Sequence, residues 1–272
     1  MSTSGRSEYG YQPSLGVGIT GLVLFVVSTI VHGYQVWTSR MWWLVVLVIG
    51  GITEIIGYAA RIYSWHDDTS LDAFLAQTVT LIIAPSFFSA ALYVVFGQII
   101  IIVGRQYSCI PPLVYTVVFV IADLISLIIQ AIGGGQAATA ARTNSDTTLG
   151  THIMIAGICW QMLSMLVYVV LVLIYVIRVG MAKAEIPKNI KIFILGMGLV
   201  TLMIFIRCIY RTVELQAGWT GYIITHEVFF ACLDGLPMII ALVAFNIFHP
   251  GRYIKNDKNI NEIPLNPQMK NI

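Results

Sequence analysis

Seven long apolar stretches, separated by short polar breaks, make up most of this chain of 272 residues. A helix needs about 20 mostly apolar residues to cross the roughly 30 Å hydrocarbon core of a bilayer, because each residue rises about 1.5 Å. The stretches fall at approximately 15–36, 41–63, 75–104, 112–135, 149–178, 190–213 and 223–248. The pattern predicts an all-α, polytopic membrane protein with seven transmembrane helices.

Basic residues are distributed unevenly between the two sets of breaks. The loops after helices 1, 3 and 5 and the C-terminal segment contain Arg40, Arg105, Arg178, Lys183, Lys188, Lys191, Arg252, Lys255, Lys258 and Lys270, whereas the opposite segments contain only Arg6 and Arg142. Short loops rich in Lys and Arg stay in the cytoplasm. We therefore expect a short extracellular N-terminus (1–14), a seven-helix transmembrane domain (15–250) and a polar cytoplasmic tail (251–272).

Composition supports the membrane assignment and excludes several functions. The chain is 58% hydrophobic and only 10% charged, against roughly 25% charged in a soluble domain. The net charge of +2 includes no basic cluster of the kind that binds nucleic acid. The four cysteines have no Cys-x-x-Cys spacing, and the chain contains no P-loop motif. We expect no metal, no cofactor, no nucleic-acid partner and no ATP hydrolysis by a P-loop.

Ionisable and polar residues recur on single faces of the predicted helices, where lipid makes them costly. Helix 2 carries Glu54, Tyr58 and Arg61 at i, i+4 and i+7, a spacing that places them on one face. Helix 4 carries Asp123 and Gln130 at i and i+7. Helices 3 and 5 add Tyr93, Gln161 and Tyr168 to this polar set.

Helices 6 and 7 contain the highest density of charge. Arg207, Arg211 and Glu214 form a stripe at i, i+4 and i+7, and helix 7 supplies Glu227 and Asp234. We expect Glu214 to pair with Arg211, which leaves Arg207 to find an acid on another helix. In this polar set five acids face three arginines, so at least two acids lack an arginine partner.

Two interpretations of this polar set remain open. The residues form either structural ion pairs and hydrogen bonds that fix the bundle, or the lining of a solvated cavity that opens to the outside. The excess of acids favours a cavity, because an unpaired acid must be protonated, hydrated or bound to a cation. Such a cavity suits a cationic amphiphile, with its amine at the acids and its alkyl body against apolar helices.

The motifs, taken in order, resemble those of the fungal lipid-translocating exporter family. The second helix contains Glu54-x-x-Gly57-Tyr58-x-x-Arg61, and the third contains Ala84-Pro85 followed by Ala90 and Tyr93. The fourth runs from Asp123 to Gln130 and into Gly133-Gly134-Gly135, and Gln161 fits the fifth. The last part of the resemblance is Arg207 to Glu214, then Glu227, Asp234, Pro237 and His249-Pro250-Gly251.

This resemblance implies a fungal plasma-membrane protein that exports amphiphilic lipids, sphingoid long-chain bases above all, and confers resistance to lipid-like toxic compounds. It is not expected to be an enzyme. Residues expected to bind the amine or carry protons are Glu54, Asp123, Glu227 and Asp234. Charge balance is assigned to Arg61, Arg207, Arg211 and Glu214, and the cavity lining to Tyr58, Tyr93, Gln130 and Gln161. The alternative is a seven-helix receptor or sensor of lipid stress that acts through other transporters.

Overall fold

The computed structural model describes residues 9–143, 145–183, 186–217 and 221–253. Seven helices in this part of the chain are long and apolar enough to cross a membrane, which confirms the predicted fold class. They are helix 1 (Leu15–Ser39), helix 2 (Trp42–His66), helix 3 (Leu71–Val103), helix 4 (Pro112–Arg142), helix 5 (Thr148–Met181), helix 6 (Lys188–Gln216) and helix 7 (Glu227–Tyr253). The protein is therefore an integral membrane protein.

Each helix packs against the next in sequence, and helix 7 returns to helix 1 to close the ring. Helix 3 also contacts helix 6 across the bundle. It is the central helix, because 61% of the residues in its most apolar stretch are buried, against 22% in helices 4 and 5. We call the end of the bundle where helix 1 begins the N-terminal end, and the end where helix 7 finishes the C-terminal end. Residues 254–272 of the predicted tail and residues 1–8 lie outside the described residues.

Helix 4 continues past the point where the sequence predicted its end. The prediction that the fourth span ends at about residue 135, in Gly133-Gly134-Gly135, is wrong, because helix 4 continues through these glycines to Arg142. A Cβ atom at Gly133 would lie 2.4 Å from the backbone nitrogen of Met154, and one at Gly150 would lie 2.4 Å from that of Ala137. These glycines allow the backbones of helices 4 and 5 to touch, as small residues do at membrane helix interfaces.

Helix 7 begins later than predicted, at Glu227 instead of about residue 223. The residues before it, from Gly221 to Thr225, form turns. Within helix 7 the segment Phe230–Gly235 is π-helical, and regular α-helix resumes at Leu236–Ile247. Pro237 lacks the N–H that an α-helix would direct at the carbonyl of Leu233, which is a physical reason for the wider turn here.

We predict that Gly150→Ala destabilises the protein, because its methyl group would meet helical backbone that cannot move alone. Overpacking of this kind costs about 1–3 kcal/mol, so the melting temperature of the detergent-solubilised protein should fall. Gly180→Ala on the same helix is the matched control, since nothing lies within 4 Å of the added Cβ. Equal melting temperatures for the two variants would contradict close packing of helices 4 and 5.

Candidate functional site

The centre of the bundle contains a network of charges between helices 6 and 7. Arg211 binds Asp234 through two hydrogen bonds, with Nε 2.7 Å from Oδ1 and Nη2 2.6 Å from Oδ2. Its Nη1 donates to Glu214 Oε2 at 2.8 Å, which confirms the predicted i, i+3 pair. Arg207 Nε lies 2.9 Å from Asp234 Oδ1, so the acid expected from another helix is Asp234. All four side chains are buried.

Two further contacts complete this network. Arg207 also donates to the backbone carbonyl of Leu81 on helix 3. The hydroxyl of Tyr210 donates to Glu214 Oε1 at 2.7 Å. Sequence reasoning did not single out Tyr210, although its i, i+4 spacing to Glu214 was a usable signal. One carboxylate, Asp234, thus neutralises two arginines, while Glu214 neutralises one of them from its other side.

The π-helical segment positions Asp234. Asp234 is the fifth residue of Phe230–Gly235, and π-helical turns often occur where a helix carries function. Gly235 directly follows it, and a Cβ there would lie 2.2 Å from the hydroxyl oxygen of Tyr58. The Tyr58 ring in turn packs between Phe25 and Phe230, with centroids at 5.2 and 6.1 Å. Helix 7 can therefore approach the polar face of helix 2 only because residue 235 has no side chain.

A second ion pair lies at the N-terminal end of the bundle. Arg61 Nη2 contacts Glu227 Oε1 at 2.6 Å, which joins helix 2 to the start of helix 7. The guanidinium carbon also lies 4.2 Å from the centroid of the Phe230 ring. The side chain of Arg61 is 1% exposed and that of Glu227 18%, so the pair closes the bundle at the edge of the packed interior.

The segment before helix 1 covers this ion pair. Tyr11 accepts a hydrogen bond from Arg61 Nη2 at 3.0 Å, and the backbone N–H of Ser14 donates to Glu227 Oε1 at 2.9 Å. The hydroxyl oxygen of Tyr9 lies 2.9 Å from both Ser64 Oγ and Gln77 Oε1, either of which can accept its one hydrogen. Burial raises the pKa of Tyr9 to about 12, which keeps its phenol protonated at neutral pH. No periodic pattern in the short leader indicated these roles.

Two acids of the set form no ion pair with any described residue. Glu54 is 1% exposed, and its Oε1 has no hydrogen-bond partner within the described ranges. Asp123 is 3% exposed; its Oδ2 accepts from Tyr93 at 3.1 Å, while Oδ1 has no partner in the same part of the chain. The charge count from the sequence thus identified the right number of arginine-free acids. These two groups can take up a proton or a cation without breaking an ion pair.

Amide side chains connect helices 3, 4 and 5 beside Asp123. Gln130 Nε2 donates to Gln161 Oε1 and to Ser126 Oγ, both at 3.1 Å. Gln161 Nε2 continues to Ser86 Oγ on helix 3 at 2.9 Å. A Cβ at Gly157 would lie 2.7 Å from the Gln130 side chain, so this glycine makes room for the amide. The two glutamines that the sequence singled out are therefore in direct contact.

An apolar cavity of about 450 Å³ lies between helices 3, 5 and 6 and opens to the outer surface of the bundle, where several of its lining side chains are more than half exposed. Its lining includes Leu92, Phe96, Tyr168, Met197 and Phe205. Tyr168 packs edge-to-face on Tyr93, with centroids 4.9 Å apart, and Tyr93 holds Asp123. One wall of the cavity is therefore two aromatic rings away from an unpaired carboxyl group.

The predicted cavity-lining residues do not line that cavity. Tyr58, Tyr93, Gln130 and Gln161 are each at most 6% exposed and pack within the interior. The polar set is likewise packed together and covered at its N-terminal end by Tyr9 and Tyr11. These four side chains are packed in the interior in this conformation, and a role for them in a lipid path stays a prediction.

The fold and the buried charges define the class: a seven-helix integral membrane protein whose interior carries both paired and unpaired acids. The family described as "RTA1 like protein" matches residues 47–257. This chain belongs to that family, which confirms the resemblance to fungal lipid-translocating proteins. The match includes every acid and arginine of the polar set.

Curated relatives of this chain include three proteins of Saccharomyces cerevisiae. The sphingoid long-chain base transporter RSB1 of strain Lalvin EC1118 is 32% identical, over 95% of this chain and 76% of the relative. Protein RTA1 is 26% identical over 92% of this chain and 87% of its own length, and protein RTM1 is 29% identical over 87% and 89%. No solved structure matches the chain.

We predict that Asp234→Asn strongly destabilises the fold, because it leaves two buried arginines without their shared carboxylate. Breaking a buried pair costs about 3–5 kcal/mol, which a lower melting temperature and a smaller folded fraction in detergent would report. Asp72→Asn is the matched control, since Asp72 pairs with Arg142 at the surface, where both side chains are more than half exposed. Similar losses in both variants would show that burial of the network contributes nothing.

Proposed function

We propose that this protein moves cationic amphiphiles across the membrane, with sphingoid long-chain bases as the leading class. The observation that carries the proposal is the buried carboxyl group of Asp123, which has no arginine partner and which Tyr93 and Tyr168 connect to the wall of an apolar cavity. A sphingoid base has the complementary form, since it joins a protonated amine to a long alkyl chain. The relative RSB1 is named a sphingoid long-chain base transporter, which supports the same substrate class.

The cavity suits the alkyl part of such a substrate. Its volume of about 450 Å³ falls within the 300–1,000 Å³ range of small-molecule sites, and aliphatic and aromatic side chains line it. The three hydroxyl groups of the lining, on Thr201, Tyr168 and Tyr175, donate to the backbone carbonyls of Met197, Leu92 and Gly104 and are therefore satisfied within the protein. A hydrocarbon chain placed there contacts apolar groups along its length.

The four candidate acids have different roles in this proposal. Asp123 and Glu54 are the amine partners, because neither has an arginine to release before it binds a cation. Glu227 and Asp234 instead hold the bundle closed through Arg61 and through Arg207 and Arg211. A carboxylate that binds a buried amine gains a charge-assisted hydrogen bond worth about 1.5–3 kcal/mol.

The distribution of basic residues and the family resemblance support a direction and a location for this transport. The asymmetry of basic residues supports an N-terminus outside the cell and a C-terminus in the cytoplasm. Movement from the C-terminal end to the N-terminal end is then export, which requires the Arg61–Glu227 closure and its tyrosine cover to open. We assign the protein to the plasma membrane and to transport without catalysis, and resistance to lipid-like toxic compounds follows from export.

The first test is release of a labelled sphingoid base from cells that express the protein. Asp123→Asn keeps the size of the side chain and removes its charge, so we expect release to fall about tenfold or more. Asp146→Asn is the control, because Asp146 is exposed and binds only Thr148 of its own loop in the described chain. Both variants must be compared at equal surface expression.

Unchanged release in Asp123→Asn would show that Asp123 does not bind the amine of the substrate. Equal release from cells with and without the protein, despite higher resistance to amphiphilic toxins, would instead favour a sensor that acts through other transporters. The two results lead to different conclusions, because only the second rejects transport.

Filling the cavity tests the alkyl site independently of charge. Gly198 lines the cavity and has no atom within 4 Å of an added Cβ, so Gly198→Phe introduces a ring without a backbone clash. We expect slower release of long-chain bases and a smaller effect on short-chain amines. Gly135→Phe on helix 4 is the matched control, because it also meets open space but lies away from this cavity.

A further inference from the structure

Helices 1 and 7 enclose a second polar cluster, toward the C-terminal end of the bundle. Five of its buried side-chain atoms have no hydrogen-bond partner among the described residues: Thr29 Oγ1, His32 Nδ1, Gln35 Oε1, Asn246 Oδ1 and His249 Nε2. Buried polar groups are otherwise almost always satisfied, because an unmade hydrogen bond costs about 1–3 kcal/mol. Several such atoms along one interface indicate a site that holds water. We call this interface between helices 1 and 7 the seam.

The five atoms belong to side chains on two neighbouring segments of the chain. Thr29, His32 and Gln35 follow one another at i, i+3 and i+6 along helix 1. Asn246 lies at the end of the segment Leu236–Ile247, and His249 lies between that segment and Pro250–Tyr253. Gln35 Nε2 donates to the carbonyl of Asn246 at 3.0 Å, which joins the two helices. His32 and His249 are close enough to affect each other electrostatically.

Thr29, the member of this group nearest the N-terminal end of the bundle, lies close to the helix 2 segment that carries the unpaired acid Glu54. A Cβ at Gly51 would lie 2.1 Å from Thr29 Oγ1, so helices 1 and 2 touch at this point. Glu54 follows Gly51 by one turn on the same face of helix 2. Unsatisfied atoms therefore occur from the carboxyl group of Glu54, in the middle of the bundle, to His249, just beyond the segment Leu236–Ile247 of helix 7.

The two histidines have complementary needs. His32 Nε2 lies 3.1 Å from the carbonyl oxygen of Leu242 and must donate to it, which leaves Nδ1 as an acceptor. His249 Nδ1 accepts from the N–H of Gly251 at 3.1 Å, which leaves Nε2 as a donor. A water between such groups donates to the first ring and accepts from the second, as buried waters do.

We propose that this seam is a proton path that connects the C-terminal end of the bundle to Glu54. A proton received at His32 Nδ1 forms an imidazolium and is passed on from the same atom through water, so only N–H and O–H bonds form and break. At Glu54 the proton neutralises the carboxylate and competes with an amine cation. Exchange of one proton for one amine then drives transport, and this inference rests on the proposed function.

The charged groups around the path are consistent with this role. Arg207 and Arg211 on helix 6 and Asp234 on helix 7 act on Glu54, and Arg252 acts on His249. The three charges near Glu54 are already committed to one another, as described above. Glu54 is therefore the acid at the end of the seam that can change its protonation without breaking an ion pair.

The test uses full-length protein in phospholipid vesicles, with a pH-sensitive dye inside and a labelled sphingoid base as substrate. Two exchanges are measured separately: labelled base against unlabelled base, and base against protons under an imposed pH gradient. We expect the unmodified protein to perform both. His32→Gln retains a donor for the Leu242 carbonyl but cannot carry a proton, so it should keep base–base exchange and lose base–proton exchange.

His152→Gln is the matched control, because His152 is exposed at the start of helix 5, and it should retain both exchanges. His249→Gln provides a second variant in the seam, with the same expected loss as His32→Gln. Base–base exchange in the unmodified protein without any effect of the pH gradient would overturn the proton path and leave lipid transport standing. Absence of both exchanges would overturn the proposed function itself, and loss of both in a folded His32→Gln would assign that residue to the whole cycle.

Discussion

Sharing of Asp234 between Arg207 and Arg211 is the interaction on which the interior depends. Lipid cannot solvate a charge, so each buried arginine must meet an acid inside the bundle. The π-helical turn places that acid, and Gly235 next to it allows helix 7 to lie against Tyr58 of helix 2. Charge neutralisation and close packing are therefore achieved by the same short segment of helix 7.

The ion pairs divide the acids of the bundle into two groups. Those bound to arginine hold helices together and close the N-terminal end, whereas Glu54 and Asp123 are buried without an arginine. A carboxyl group of the second kind is costly unless it is protonated, hydrated or bound to a cation. That cost is a reason to expect both groups to take part in the function, and it links the proposed amine site to the proposed proton path.

The proposed sites also differ in the kind of group they accept. The cavity between helices 3, 5 and 6 offers apolar surface, whereas the seam between helices 1 and 7 offers atoms that bind water. On helix 3, Tyr93 connects the cavity wall at Tyr168 to the carboxyl group of Asp123. Binding of an alkyl chain and movement of a proton can thus occur on opposite sides of one packed centre.

The lengths of the apolar stretches alone predicted the seven helices, because membrane thickness imposes a length that few other folds reproduce. Charge spacing within one helix likewise predicted the Arg211–Glu214 pair, and counting predicted two arginine-free acids. Partners on different helices depend on rotation and depth, which no local pattern contains, so only the tertiary structure paired Arg207 with Asp234. The same limit hid the cover over Arg61 and the unsatisfied atoms between helices 1 and 7, since both arise where distant segments meet.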